Sequence, residues 1–233
     1  MATPTRYPSG ISTQAVGRNL ANYPMPDPTK AFTHFDDFIR YAAAEWTVGT
    51  GVNAGTAAAT AAKGGAILLT TAAVSTADYE SLAANPATFN FASTDQVWFY
   101  TRLQASEVTA SIILAGLTAG ALGATLAPTD GIYFKKNAAA ATIDLVLTKA
   151  STSTTLASVA TLTAATNIKL GFYYNGKDAV DVFVNEVKVA SQSTLTNLPT
   201  ATALTTGFGI VNGAAAAKTL QVDFTLGAQD RGA

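Results

Sequence analysis

The chain has 233 residues, of which only 12% are charged: 14 Lys and Arg against 15 Asp and Glu. A charge share about half the usual one, with no dense basic cluster, cannot neutralise a row of phosphates and argues against nucleic-acid binding. Cysteine is absent, which excludes disulfides and thiolate metal sites; the surface must be largely Thr, Ser, Ala, Asn and Gln, suited to packing against other protein.

Residues 1–30 carry prolines at 4, 8, 24, 26 and 28 with no helical or strand periodicity. Proline fixes its backbone angle and lacks an amide donor, so this stretch is predicted to be an extended N-terminal arm. Its first residues lack the apolar core of a signal peptide, and no uncharged run elsewhere is apolar enough to span a bilayer. The longest such run, 110–128, is interrupted by Gly116, Gly120 and Gly123 and reads as a loop-interrupted β segment. No membrane insertion is expected.

The folded domain is placed at 31–233, opening on the aromatic segment Phe32, Phe35, Phe38. Residues 41–46 suit a short helical turn and 47–52 a strand. The alanine run 57–62 stays ambiguous, because Gly55 and Gly64-Gly65 bracket it and short Ala-rich runs form marginal helices. Beyond Gly65, strands are predicted at 66–71, 96–104, 131–136, 142–149, 154–162, 207–212 and 219–226, with the region of Asp78 and Glu80 left as a Ser/Thr/Ala-rich loop. Ile168, Leu170 and Phe172 alternate on one face of a further strand, Asn175-Gly176 marks a turn, and Val180, Val182 and Val184 line the return strand. A tight turn at Asn185-Glu186 leads to Val187 and Val189, completing a meander. Pro128 and Pro199 fall in connecting turns, and no long helix remains.

Candidate chemistry is sparse. The single histidine, His34, has no recognisable partners for a triad or a metal site and reads as a partly buried polar residue at the domain edge. Asp27, Asp36 and Asp37 match no calcium loop; adjacent strand residues face opposite ways, so turn or capping bonds are the expected role. A glycosidase needs two carboxylates about 5 to 10 Å apart, and the nearest sequence pairs, Asp178 with Asp181, Asp181 with Glu186 and Asp78 with Glu80, do not provide a convincing one. Gly207-Phe208-Gly209 and the glycines at 116–123 lack the context of a phosphate loop and read as tight bends or bulges. Tyr100, Tyr133, Tyr173 and Tyr174 could stack on sugars but are first expected to pack within sheets.

Several segments taken together resemble a family of bacteriophage virion structural proteins with a concanavalin-A-like, or laminin-G-like, sandwich. They are Arg6-Tyr7-Pro8-Ser9-Gly10, Phe35-Asp36-Asp37-Phe38, Trp98-Phe99-Tyr100-Thr101-Arg102, Asp130-Gly131-Ile132-Tyr133-Phe134, residues 170–176, Val222-Asp223-Phe224 and Gln229-Asp230-Arg231. The resemblance implies an all-β, jelly-roll type antiparallel sandwich whose first and last strands pair, so 35–38 and 220–226 should be neighbours. The turn that in similar sandwiches usually reads Asn-Gly is Asn185-Glu186 here.

The implied role is a non-enzymatic decoration protein on the outer surface of the virion, assembled in the host cytoplasm. Its partners would be the major capsid protein and itself, as a dimer or trimer. Arg6, Tyr7, Pro8, Tyr23 and Pro24 of the arm are the expected capsid contacts, because arginine and amphipathic aromatics are typical anchors. No catalytic residue, cofactor or metal is expected. The rival reading is a carbohydrate-binding module, on a head or tail, that holds host glycans with aromatics and loop polar groups.

Overall fold

The computed structural model describes residues 31–91 and 94–231. The arm, with Arg6, Tyr7, Pro8, Tyr23, Pro24 and Asp27, lies outside the described residues.

Two antiparallel sheets face each other. The strands are β1 (Ala31–Asp36), β2 (Trp46–Thr50), β3 (Thr56–Ala59), β4 (Ile67–Thr70), β5 (Tyr79–Ala84), β6 (Val97–Ala105), β7 (Ser111–Thr118), β8 (Gly131–Lys136), β9 (Thr142–Lys149), β10 (Thr152–Thr161), β11 (Ile168–Tyr174), β12 (Val180–Val184), β13 (Val187–Gln192), β14 (Thr205–Asn212) and β15 (Thr219–Asp230). The first sheet runs β13-β12-β11-β6-β15-β4-β3, with β1 also on β15; the second runs β10-β9-β8-β7-β14-β5-β2. A single turn of 3-10 helix, Ala43–Glu45, precedes β2, where a helical turn was predicted.

Period-two alternation builds the core. In β6, Val97, Phe99, Thr101, Leu103 and Ala105 are buried, while Trp98, Tyr100, Arg102 and Gln104 point outward. Phe99 stacks on Phe172 of β11 at 5.4 Å, and Phe172 meets Phe134 of the opposite sheet at 6.3 Å. A second aromatic group joins Phe38, Trp46 and Phe208 at 5.4 to 5.7 Å between ring centres. Burying each such ring contributes about 1.5–3 kcal/mol, so these two groups clamp the layers together.

The first and last strands pair as expected, with Phe35 opposite Leu226 and Asp36 opposite Thr225. Asn185 and Glu186 both adopt positive φ, 50° and 72°, the backbone of a two-residue hairpin turn that usually selects glycine. Glu186 is held there by its side chain, which is 1% exposed, ion-paired to the Lys169 ammonium and accepting a 3.3 Å hydrogen bond from the Tyr100 hydroxyl. The Asn175-Gly176 turn is longer: Asn175 Oδ1 accepts the amides of Lys177, Asp178 and Ala179, and β12 begins at Val180.

Two expectations are corrected and one open alternative is resolved. The supposed loop around Glu80 is β5, bonded on one side to β14 and on the other to β2; its small residues carry little strand propensity, and pairing on both edges makes the strand. Ala57, Ala58 and Ala59 belong to a strand opposite Leu69, Leu68 and Ile67, not to a helix. Gly207 and Gly209 sit in an unbroken register with both β5 and β7, so they mark no bulge. What they make room for lies over the sheet.

Candidate ligand-binding cleft

The outward face of the second sheet is paved with small residues at one end and polar ones at the other. Gly49 of β2, Ser81 of β5, and Gly207 and Gly209 of β14 all point away from the core, at one-residue offsets from the buried, register-paired Leu82 and Phe208. A strap formed by the β7–β8 connection, residues 119–130, lies across them. The Ser81 hydroxyl donates to the Leu122 carbonyl at 2.9 Å, and Leu122 and Leu126 are 2% and 0% exposed. A Cβ on Gly49 would stand 2.5 Å from the Leu122 carbonyl, and one on Gly209 2.9 Å from Leu126 Cδ2. The two leucines join Leu114, Tyr133, Val146 and Val211 in an apolar cluster separate from the main core.

Where the strap ends, a cleft of about 340 Å³ opens over β8, β9 and β10. Register places its floor: Lys135 lies opposite Asp144, Tyr133 opposite Val146, and Val146 in turn opposite Thr155, with Thr148 opposite Ser153. Ala127 and Pro128 of the strap form one wall, Asn137 and Ser151 border it, and exposed Ser153 and Thr155 line the sheet edge. The Tyr133 and Thr148 hydroxyls share a 3.0 Å hydrogen bond, and Thr148 shares another of 2.8 Å with Ser153. Burial pushes the Tyr133 phenol above its ordinary value against these bonds. Burial also draws the Lys135 ammonium below the usual lysine value; its one hydrogen bond, to the Thr125 carbonyl, is long at 3.4 Å. Asp144 Oδ1 accepts the Ser158 amide at 2.7 Å, fixing a bulge in β10.

The cleft therefore offers an ammonium, a carboxylate, a carboxamide and hydroxyls around a small apolar base. Asp144 is the sole carboxylate among the strand residues of this outward face. Asp130, at the base of the strap, accepts the Ala150 amide.

The residues singled out in the sequence are scattered. His34 is half buried, its Nδ1 2.8 Å from the Thr206 hydroxyl and its ring edge-on to Trp46; burial lowers its pKa, opposed by Asp36 and Glu45. Asp36 and Asp37 accept the amides of Phe38 and Ile39, the turn bonds expected of them. Asp181 pairs with Lys188, Glu186 with Lys169, and Asp178 accepts from Asn175. Glu80 points into the core, where burial raises its carboxyl above the ordinary value despite a bond from Thr50. Burial acts on Asp78 in the same sense, but bonds from Asn53, Ser75 and Val74 outweigh it and hold that carboxyl low. Of the four tyrosines, Tyr174 is in the core against Phe91, Tyr100 and Tyr173 lie on the outward face of the first sheet, and only Tyr133 reaches the cleft.

Lys135, Asn137, Asp144 and Thr155 went unnoticed in the sequence. The alternation of β8 and β9 carried a signal for two of them, since it sets Lys135 and Asp144 on the face opposite Phe134 and Leu145. Among the described residues no group of three or more His, Asp or Glu gathers to hold a metal, and no helix is long and apolar enough to cross a membrane.

No family model and no curated protein matches the chain. Solved structures do share its fold. An endo-1,3-beta-glucanase from Streptomyces sioyaensis superposes with a TM-score of 0.61 at 12% identity, over 89% of this chain and 99% of its own. A protein of unknown function from Shewanella oneidensis MR-1 gives 0.58 at 15% identity, over 86% and 87%. The carbohydrate recognition domain of Emp46p in its potassium-bound form gives 0.53 at 10%, over 82% and 93%. The likeness is one of fold, that of concanavalin-A-like lectins and glucanases.

Proposed function

We propose that this concanavalin-A-like sandwich binds carbohydrate without cleaving it, in the cleft between the strap and β8, β9 and β10. The observation that carries the reading is the cleft itself: a concave site in which hydrogen-bonding groups of Lys135, Asn137, Asp144 and Thr155 gather around a base of Val146 and Tyr133, an arrangement able to orient a polyhydroxylated ring. The solved structures of the same fold add support, since one is a carbohydrate recognition domain and another a glucanase. Glycoside hydrolysis uses a pair of carboxylates about 5 to 10 Å apart, and the strands of this face supply Asp144 alone, which favours binding over cleavage.

Thr155→Trp tests the site. Thr155 is exposed on the edge strand, so an indole there fills the cleft and leaves the core intact. On a glycan array and by calorimetry, the wild type is expected to bind and the variant to lose at least about tenfold in affinity, equivalent to about 1.4 kcal/mol, with an unchanged melting temperature. Equal binding by both proteins moves the site elsewhere; binding by neither rejects the reading.

The virion role implied by the resemblance is compatible with this site and is proposed separately. In that role the arm residues Arg6, Tyr7, Pro8, Tyr23 and Pro24 would contact the major capsid protein. Co-sedimentation with capsids lacking the protein checks it: saturable binding by the full chain, lost without residues 1–30, is expected.

A further inference from the structure

The outward face of the second sheet is seven strands wide, or about 29 Å at roughly 4.8 Å per strand spacing, enough for a polysaccharide to lie across it. The strap takes most of that width. Its contacts run from Gly49 on β2, through Ser81 on β5, Gly209 and Val211 on β14 and Leu114 on β7, to Tyr133 and Val146 on β8 and β9. It is also a fixed element: Leu126 donates its amide to the Gly123 carbonyl at 2.9 Å, closing a turn, and both leucines are buried. The open remainder is about 340 Å³, near the lower limit of small-molecule sites. It is closed on one side by Ala127 and Pro128 and bounded on the other by β10, an edge strand.

We infer that the strap makes this a site for the end of a glycan. A terminal sugar enters against Ala127 and Pro128, and the rest of the chain leaves over Ser153 and Thr155 at the β10 edge. Gly49 allows the strap to lie this close, since a Cβ there would stand 2.5 Å from the Leu122 carbonyl, and at Gly209 a Cβ would press on Leu126 Cδ2 at 2.9 Å. This inference rests on the carbohydrate reading and adds the class of ligand: chain ends and short oligosaccharides in place of internal polymer segments.

The test measures affinity against length. Calorimetry with linear β-1,3- and β-1,4-gluco-oligosaccharides from monosaccharide to hexasaccharide, and with the best binder from a glycan array extended in the same way, is run on the intact protein. A second protein has strap residues 120–128 replaced by a short Gly-Ser turn. For the intact protein the affinity is expected to level off by the disaccharide, changing by no more than about twofold thereafter, whereas the strap-shortened chain gains about tenfold or more on the hexasaccharide. Should the shortened chain fail to fold, competition decides: the free terminal monosaccharide is expected to displace the intact protein from immobilised polymer. Affinity that climbs tenfold with length in the intact protein, or failure of the monosaccharide to compete, overturns end recognition and leaves glycan binding standing. Binding of no sugar by either protein overturns both.

Discussion

The two outward faces of the sandwich solve the same problem, a sheet surface that must meet water, by opposite means. On the first sheet long side chains lie flat: Trp98 against Tyr173 at 5.2 Å, Tyr100 against Phe224 at 5.2 Å, and Phe35 against Phe224 at 6.3 Å. Ion pairs Arg102–Asp223, Lys169–Glu186 and Lys188–Asp181 are set among them. On the second sheet small residues at one end make room for a strap, whose Leu122 and Leu126 cover Leu114, Tyr133, Val146 and Val211. A face covered by its own side chains keeps one shape; a face covered by a loop can be recut by changing that loop, and the cleft lies on the face of the second kind.

The sharpest way to break this contrast is Leu126→Ala. It empties a fully buried position of the strap, and about 2–5 kcal/mol of destabilisation is expected in urea denaturation. Gly209→Ala inserts a methyl 2.9 Å from Leu126 Cδ2; an overpacked contact of this kind costs about 1–3 kcal/mol, and the expected companion effect is faster proteolysis within 119–130. On the first sheet, Lys169→Met leaves the buried Glu186 carboxylate with a weaker set of partners. Because the Lys169 side chain is 32% exposed and solvent already screens it, about 1 kcal/mol is expected in denaturant titration. Phe35→Ala should shift stability by no more than about 0.5 kcal/mol, since Phe35 is 57% exposed. A loss on Phe35→Ala comparable to that on Leu126→Ala would erase the distinction between the faces.

One further measurement concerns the interior beneath the second sheet. Burial favours the neutral form of Glu80, so its contribution to stability is present below the ordinary glutamate value of 4.5 and is lost as pH rises through the elevated folded value. Glu80→Gln removes that dependence, and its melting temperature should gain on the wild type as pH is raised from acidic to neutral. Asp78, held low by its hydrogen bonds, works in the opposite sense, contributing above 3.8 and losing that contribution as pH falls.

The same contrast explains what was legible in the sequence. Strands β6, β11, β12 and β13 announced themselves because their large residues alternate, and alternation is a local property. The first-to-last strand pairing came through the resemblance. β5 did not read as a strand, because Glu80, Ser81, Ala83 and Ala84 owe their extended form to neighbours on both edges that are far away in the chain. Gly207 and Gly209 read as irregularities, because a glycine beneath a strap and a glycine in a bulge look identical until the covering segment is located. The cleft was the least legible part: it is the gap between a strap and three strands, and Ala127, Pro128 and Thr155 have no chemistry that marks them singly.

The pairing of β1 with β15 has a use beyond closing the first sheet. Ala31 stands opposite Asp230, so the described chain is entered and left at neighbouring points on one layer. A cassette with adjacent ports of this kind can be spliced into a surface loop of a host protein without prying the host apart, and joining the ports by a short linker permits new termini in the β12–β13 hairpin.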